Sequence, residues 1–156
     1  MPTQRDDLLF GGANESAALP LLQSHLNPNL RKTTNTYSLT DFVTPDETLF
    51  VELKSRRCRS DAYPTSIVGY NKIREMDRRT REGAKCYVAF AYTDGLFVIE
   101  YEKDLFETFE HRDSFWRGAR SDVVSRPQHV VLIPNRFLSR VPTSSIDSPS
   151  GKTPSQ

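Results

Sequence analysis

Apolar and polar positions are most sharply ordered at Leu49-Phe50-Val51-Glu52-Leu53-Lys54. Successive side chains of a strand take opposite faces, so Leu49, Val51 and Leu53 line one face while Phe50, Glu52 and Lys54 line the other. A carboxylate and an ammonium group therefore leave the same side of an apolar strand. Unpaired charges on a buried strand cost on the order of several kcal/mol, so this stretch is the first place to look for chemistry.

Upstream, residues 1–12 are polar, then carry Leu8-Leu9-Phe10, and Gly11-Gly12 should break any helix begun at Asp6. Asn14 is a suitable N-cap for a helix over 15–26 with Leu19, Leu22 and Leu26 as its apolar stripe. Pro20 either kinks that helix or marks the first turn of one that starts later. In a continuous helix Glu15 falls on the face of the leucines; the alternative is a first-turn acid favoured by the helix dipole.

Residues 37–43 read as a strand, and Thr44-Pro45-Asp46-Glu47 suits a type I turn. Pairing Thr44 with Glu47 sets Asp41 opposite Phe50 and Leu39 opposite Glu52. Asp41, Phe50, Glu52 and Lys54 then share one face, with Asp41 and Glu52 as diagonal neighbours near enough to hold one ion. A slip of one residue would send Asp41 to the other face.

Downstream, 55–61 form a basic exposed loop, and 63–69 are extended. Residues 71–82 are expected as a helix capped by Asn71, with Ile73 and Met76 inward and Arg74, Arg78, Arg79 and Arg81 outward, stopped by Gly83. Strands at 85–92 and 96–102 join through Asp94-Gly95. A short helix over 104–110 carries Leu105, Phe106 and Phe109, and the stretch through Trp116 to 120 is expected to be irregular. Residues 129–133 form a last apolar strand, after which Phe137 and Leu138 pack back. Residues 1–140 make a single domain, and from Val141 the Ser-, Thr- and Pro-rich composition predicts a disordered tail over 141–156.

Composition narrows the function classes. With 156 residues, 37% hydrophobic and 26% charged, the chain is large enough for a real core and reads as globular. Its 21 basic and 20 acidic residues give a net charge of +1, so a nucleic-acid partner must be recognised by a local basic patch. Cys58 and Cys86 form neither a C-x-x-C pair nor a disulfide framework, and His25, His111 and His129 lack the spacing of zinc ligands. With no apolar run long enough to span a bilayer and no basic-then-apolar leader, the sequence reads as cytosolic, nuclear or virion-associated, not secreted, with no membrane partner.

Asp41, Glu52 and Lys54 are the residue types of a site that holds a hard divalent cation and activates water, with magnesium or manganese as the fitting ions. Arg56 and Arg57, in the loop that starts beside that site, are candidates for phosphate contact.

This pattern resembles the PD-(D/E)xK nuclease superfamily, which includes many restriction enzymes, Holliday junction resolvases and phage or viral exonucleases. The residues that carry the resemblance are Asp41 and, eleven positions later, Glu52-Leu53-Lys54. Thr40 stands where the motif's name has proline. The resemblance spans roughly residues 13–92. It implies an α/β restriction-endonuclease-like core, a mixed central sheet flanked by helices, in the order helix, three-stranded meander, helix, strand. It also implies metal binding by Asp41, Glu52 and the Leu53 carbonyl, catalysis by Lys54, and a first-helix acid at Glu15. Tyr70 and Lys72 match the Gln, Lys or Tyr often found near the start of the second helix.

The expected function is metal-dependent hydrolysis of phosphodiester bonds, with DNA as the expected substrate. Two rivals stand beside it: a catalytically inactive nucleic-acid-binding module of the same fold, and a structural or virion-associated protein in which Glu52 and Lys54 only pair. Resolvase-like and restriction-like members often form homodimers, but no dimerisation stripe is visible here.

Overall fold

Why the Glu52 strand is buried on both faces becomes clear from what packs on each side of it. The computed structural model describes residues 12–34, 40–116 and 127–143. Helix α1 (Gly12–His25) comes first, followed by three strands in an antiparallel meander: β1 (Arg31–Lys32), β2 (Phe42–Val43) and β3 (Leu49–Ser55). Next come β4 (Thr65–Gly69), α2 (Tyr70–Arg81), β5 (Lys85–Tyr92) and β6 (Gly95–Glu100). The chain ends with α3 (Lys103–Phe106), β7 (Glu110–Trp116), β8 (Pro127–Pro134), a 3-10 turn at Asn135–Phe137 and β9 (Ser139–Arg140).

The fold is mixed α/β. Six strands form one mixed sheet in the order β1-β2-β3-β5-β6-β9, and β4-β8-β7 form a second, antiparallel sheet. Within the large sheet β3 and β5 run parallel, which requires the long crossover that β4 and α2 supply. Leu49, Val51 and Leu53 face a core shared with Ala18 and Leu22 of α1. Phe50 faces a second core, built from Ile73 and Met76 of α2, Val88 and Phe90 of β5, and Val68, Val131 and Ile133 of the small sheet. The alternation read from residues 49–54 therefore separates two buried cores, and Glu52 lies on the side of α2.

Several expectations shift. Helix α1 starts at Gly12, before the expected 15, carries Pro20 on an exposed position, and buries Ala18 and Leu22 rather than a full Leu19, Leu22, Leu26 stripe. The Asn14 side chain lies outside the described residues, as do residues 1–11, 117–126 and 144–156 and the expected strand positions 37–39. Helix α2 begins at Tyr70 with Gly69, not Asn71, as its N-cap; Ile73 and Met76 are buried as expected. The segment 110–116 is a strand although its polar run Glu110-His111-Arg112-Asp113 lacks an apolar alternation. It is an edge strand, so its N–H and C=O groups need only one partner and its pattern carries little burial signal. Val141 does not begin a tail: it is fully buried and its N–H donates to Leu96 O at 2.8 Å. Among the described residues no helix is long and apolar enough to cross a membrane.

Candidate metal and nucleic-acid site

The hairpin between β2 and β3 decides whether Asp41 and Glu52 meet. The type I turn forms where the sequence places it, with Glu47 N–H donating to Thr44 O at 2.8 Å. The strands do not close there, however. Glu47 takes a left-handed conformation (φ 58°), and Thr44 N–H donates to Leu49 O at 3.1 Å, so the ladder closes two residues later than expected. Phe42 pairs with Val51 and Val43 with Phe50. Phe50, the expected partner of Asp41, is thus taken by Val43. A slip of two by itself preserves the face of every residue that stays in the ladder, because side chains alternate with a period of two.

Asp41 itself leaves the ladder. Its N–H donates to Val51 O at 3.0 Å, out of step with the Phe42–Val51 pair, and its Oδ2 accepts the Leu53 N–H at 2.7 Å. The side chain thus closes the end of the hairpin in place of a backbone carbonyl. Burial pushes the Asp41 carboxyl above its ordinary range, the Leu53 N–H opposes this, and the charge of Glu15 adds to it.

Glu52 is 3% exposed. Lys54 Nζ lies 3.1 Å from its Oε2, and Lys72 Nζ lies 3.6 Å from its Oε1. The second distance is an ion-pair contact but too long for a hydrogen bond, and among the described residues Oε1 accepts none. Burial pushes the Glu52 carboxyl upward; Lys54 pulls it down and the charge of Asp41 raises it again. The two acids are pushed in the same direction and one buried Glu52 oxygen accepts no hydrogen bond from a described residue, while the Lys54 and Lys72 ammonium groups balance the charge beside it. The oxygen-only donor set of Asp41 and Glu52 suits magnesium or manganese, which commonly take one or two protein carboxylates and fill the rest with water and phosphate oxygens.

No family model and no curated protein matches the chain. What the site can do is therefore argued from its own geometry.

Glu15 approaches from α1, on the other side of the sheet. Its Oε1 is held by Lys32 Nζ at 2.8 Å, and its charge reaches Asp41. Among the described residues no three Asp, Glu, His or Cys side chains gather as a metal-holding group, so Glu15 does not close with Asp41 and Glu52 into a three-acid cluster. Lys72 is brought in more closely than the sequence required. It sits in the first turn of α2, between Tyr70 and Arg74, and α2 packs on the face that carries Glu52.

Arg56 is turned inward. Its Nη2 donates to Ile67 O at 2.6 Å, its Nη1 to Ser55 O at 3.1 Å, and its guanidinium lies 5.8 Å from the Phe90 ring centroid. It ties the end of β3 to β4, whereas Arg57 is exposed in the loop. Arg56→Met should therefore lower stability by about 1.5–3 kcal/mol, the cost of losing charge-assisted bonds to a partly buried carbonyl. Urea denaturation measures the effect; an unchanged stability would mean that Arg56 does not tie β3 to β4.

Tyr70 meets residues that sequence reasoning did not select. Because Gly69 pairs with Val130, the next cross-strand neighbour of Tyr70 is His129, and the rings stack with centroids 4.0 Å apart and planes 12° from parallel. His111 of β7 completes the cluster, its Nδ1 3.1 Å from His129 Nε2. Spacing in the chain offered no clue to this group, since 18 residues separate the two histidines. Only the pairing of β8 with both β4 and β7 brings them together.

Proposed function

We propose that the protein is a metal-dependent nuclease of PD-(D/E)xK type that hydrolyses phosphodiester bonds, with DNA as substrate and Mg2+ or Mn2+ as cofactor. The observation that carries this reading is Glu52: a buried carboxylate within electrostatic reach of Asp41, flanked by Lys54 and Lys72, with one oxygen accepting no hydrogen bond from a described residue. The succession of α1, the β1-β2-β3 meander, α2 and β5 parallel to β3 supports a restriction-endonuclease-like core.

Asp41 and Glu52 would hold the cation, with the Leu53 carbonyl as the expected backbone ligand. A bound Mg2+ or Mn2+ supplies concentrated positive charge and lowers the pKa of a coordinated water. The chain's own part is positioning. Lys54 and Lys72 both line the cleft beside Glu52, where their ammonium groups can bind the phosphate oxygens and offset charge developing on them. Lys54, 3.1 Å from Glu52, is also placed to orient the attacking water or to hold a proton near it. Leu53 N–H fixes Asp41, so the two carboxylates are preorganised by the hairpin itself.

Two measurements test the reading. A cleavage panel of single-stranded, double-stranded, flapped and four-way DNA, with RNA alongside, should show hydrolysis that requires magnesium or manganese. Either ion should also raise Tm, by about 1.4 kcal/mol of stability at a tenfold excess over Kd, or roughly 3–6 °C. The pH dependence has a definite sign. Asp41 and Glu52 have raised values in the folded chain, so between the ordinary carboxylate range and those values the folded state binds more protons than the unfolded state, and metal-free stability falls as pH rises. Cations compete with these same protons, so the Tm rise should grow through that window and shrink toward about pH 4. A Tm unmoved by both ions at neutral pH, together with no cleavage, would remove the metal site and the nuclease reading.

A further inference from the structure

Beside Glu52 lies an open cleft of about 490 Å³ between the start of α2 and β8, walled by Lys54, Tyr70, Lys72, Arg74, Gln128 and His129. We propose that this cleft holds the phosphodiester backbone of one substrate strand next to the cut site, with Arg74 and His129 as binding residues that contact the neighbouring nucleotide. This inference rests on the nuclease reading and adds to it the second sheet, whose part in function the β2-β3 hairpin does not explain.

Three observations carry it. First, among the described residues the cleft wall contains no acid, and its charged members are Lys54, Lys72 and Arg74. The neighbouring groove of about 570 Å³ along α2 differs, because there Glu75, Asp77 and Glu107 pair with Arg78, Arg81 and Lys103. Second, Arg74 is exposed, lines both clefts, and is the one arginine of α2 that makes no ion pair with a described residue. An unpaired guanidinium at a cleft mouth presents its planar fork to a phosphate without first breaking a protein contact.

Third, His129 is held in place by what it already touches. Its ring lies flat on Tyr70, and its Nε2 faces His111 Nδ1 at 3.1 Å and the exposed Asp113 carboxylate at 3.7 Å. Among the described residues its Nδ1 has no hydrogen-bond partner, which leaves that atom for a ligand. The cleft is of the size that takes a single small ligand unit, so it fits one nucleotide of a strand, not the body of a duplex. Lys54 and Lys72 at its inner end are the two groups already assigned to the scissile phosphate, so the next phosphate along the strand falls toward Arg74.

The test uses the full chain and a labelled single-stranded DNA oligonucleotide, in steady-state cleavage with Mn2+ and in direct binding. Arg74→Ala, at an exposed site without an ion pair to a described residue, should leave the fold unaffected; His129→Ala is measured beside it with a thermal melt as control. Each should raise KM and Kd about tenfold, as expected for one lost charge-assisted contact, with kcat within twofold. Arg74→Ala should also reduce the slope of log Kd against log salt by about one phosphate contact. Arg136→Ala, which removes one positive charge away from the cleft, should leave KM unaltered. Unchanged KM, Kd and salt slope in Arg74→Ala, with the native protein cleaving normally, would overturn the cleft assignment and leave the nuclease reading in place. Binding that depends on Arg74 and His129 without any cleavage would keep the cleft and overturn the nuclease reading. A native protein that neither binds nor cleaves the oligonucleotide overturns both.

Discussion

Replacing Glu52 by glutamine or alanine should reduce cation-dependent cleavage by about 10²–10⁴-fold, the range set by losing a preorganised charged group at the reacting centre. Glutamine keeps the volume of a residue that is 3% exposed, so the packing of β3 between its two cores should survive. Lys54 and Lys72 lose their shared partner, but their side chains are 20% and 21% exposed and can turn toward water. The Tm rise on adding magnesium or manganese should vanish in the same variant. Lys54→Ala is the companion experiment: cleavage should fall comparably while the cation still raises Tm, because both carboxylates remain. Single-turnover cleavage with a circular dichroism control separates chemistry from folding. Cleavage within tenfold of the native rate in both variants would refute the assignment of this site.

The largest effect on stability is expected at Phe90. Its side chain is fully buried in the core between the large sheet, α2 and the small sheet, and it pairs with Lys54 in the parallel β3-β5 ladder. Phe90→Ala removes the transfer free energy of the ring and leaves a cavity that the surrounding Phe50, Val88 and Tyr92 can only partly fill, a loss of about 3–5 kcal/mol. Against a total of roughly 5–15 kcal/mol this is a large share, and at about 2–4 °C per kcal/mol it lowers Tm by roughly 6–20 °C. Urea denaturation gives the number directly. Phe90 also lies under the Arg56 guanidinium and beside Tyr92, two residues along the same strand, with ring centroids 6.1 Å apart, so the end of β3 that presents Lys54 should loosen as well. A loss below about 1 kcal/mol would mean that this core is not packed as a single unit.

The two predictions draw on opposite faces of legibility. Phe90 is buried because it belongs to an apolar run that reads as a strand wherever that strand docks. Glu52 is important because of what stands near it, and those neighbours come from three separate parts of the chain. Asp41 arrives through the hairpin, Lys72 through α2, and His129, beyond them, through β8, whose apolar run is legible but whose pairing with β4 and β7 is not. The expected hairpin register was wrong by two residues, since Glu47 adopts a left-handed conformation that lengthens the connection. Asp41 leaves that ladder: its N–H donates to Val51 O and its Oδ2 accepts the Leu53 N–H, and its charge still acts on Glu52. Arg56 shows the reverse case: a basic loop residue read as a phosphate contact is drawn inward by the Ile67 carbonyl.

By itself the sequence determined the periodic elements: the E-x-K strand with its two faces, the turn at 44–47, α2 with Ile73 and Met76 inward, and the strand pair expected at 85–92 and 96–102, whose second strand runs over Gly95–Glu100. These follow from side-chain alternation, turn chemistry and helical spacing, all of which act over a few residues. Only the tertiary structure decided which strands pair, that β4 and β8 leave the main sheet, that β7 is a strand at all, and that Tyr70, His111 and His129 stand together beside Lys54 and Lys72. Pairing depends on the total burial that distant segments achieve together, and an edge strand or a cross-sheet cluster leaves no period in the chain. Glu52 lies at the junction of the two: its alternation sets it beside Lys54 on an apolar strand, and the fold alone brings the charge of Asp41 and the Lys72 ammonium to it.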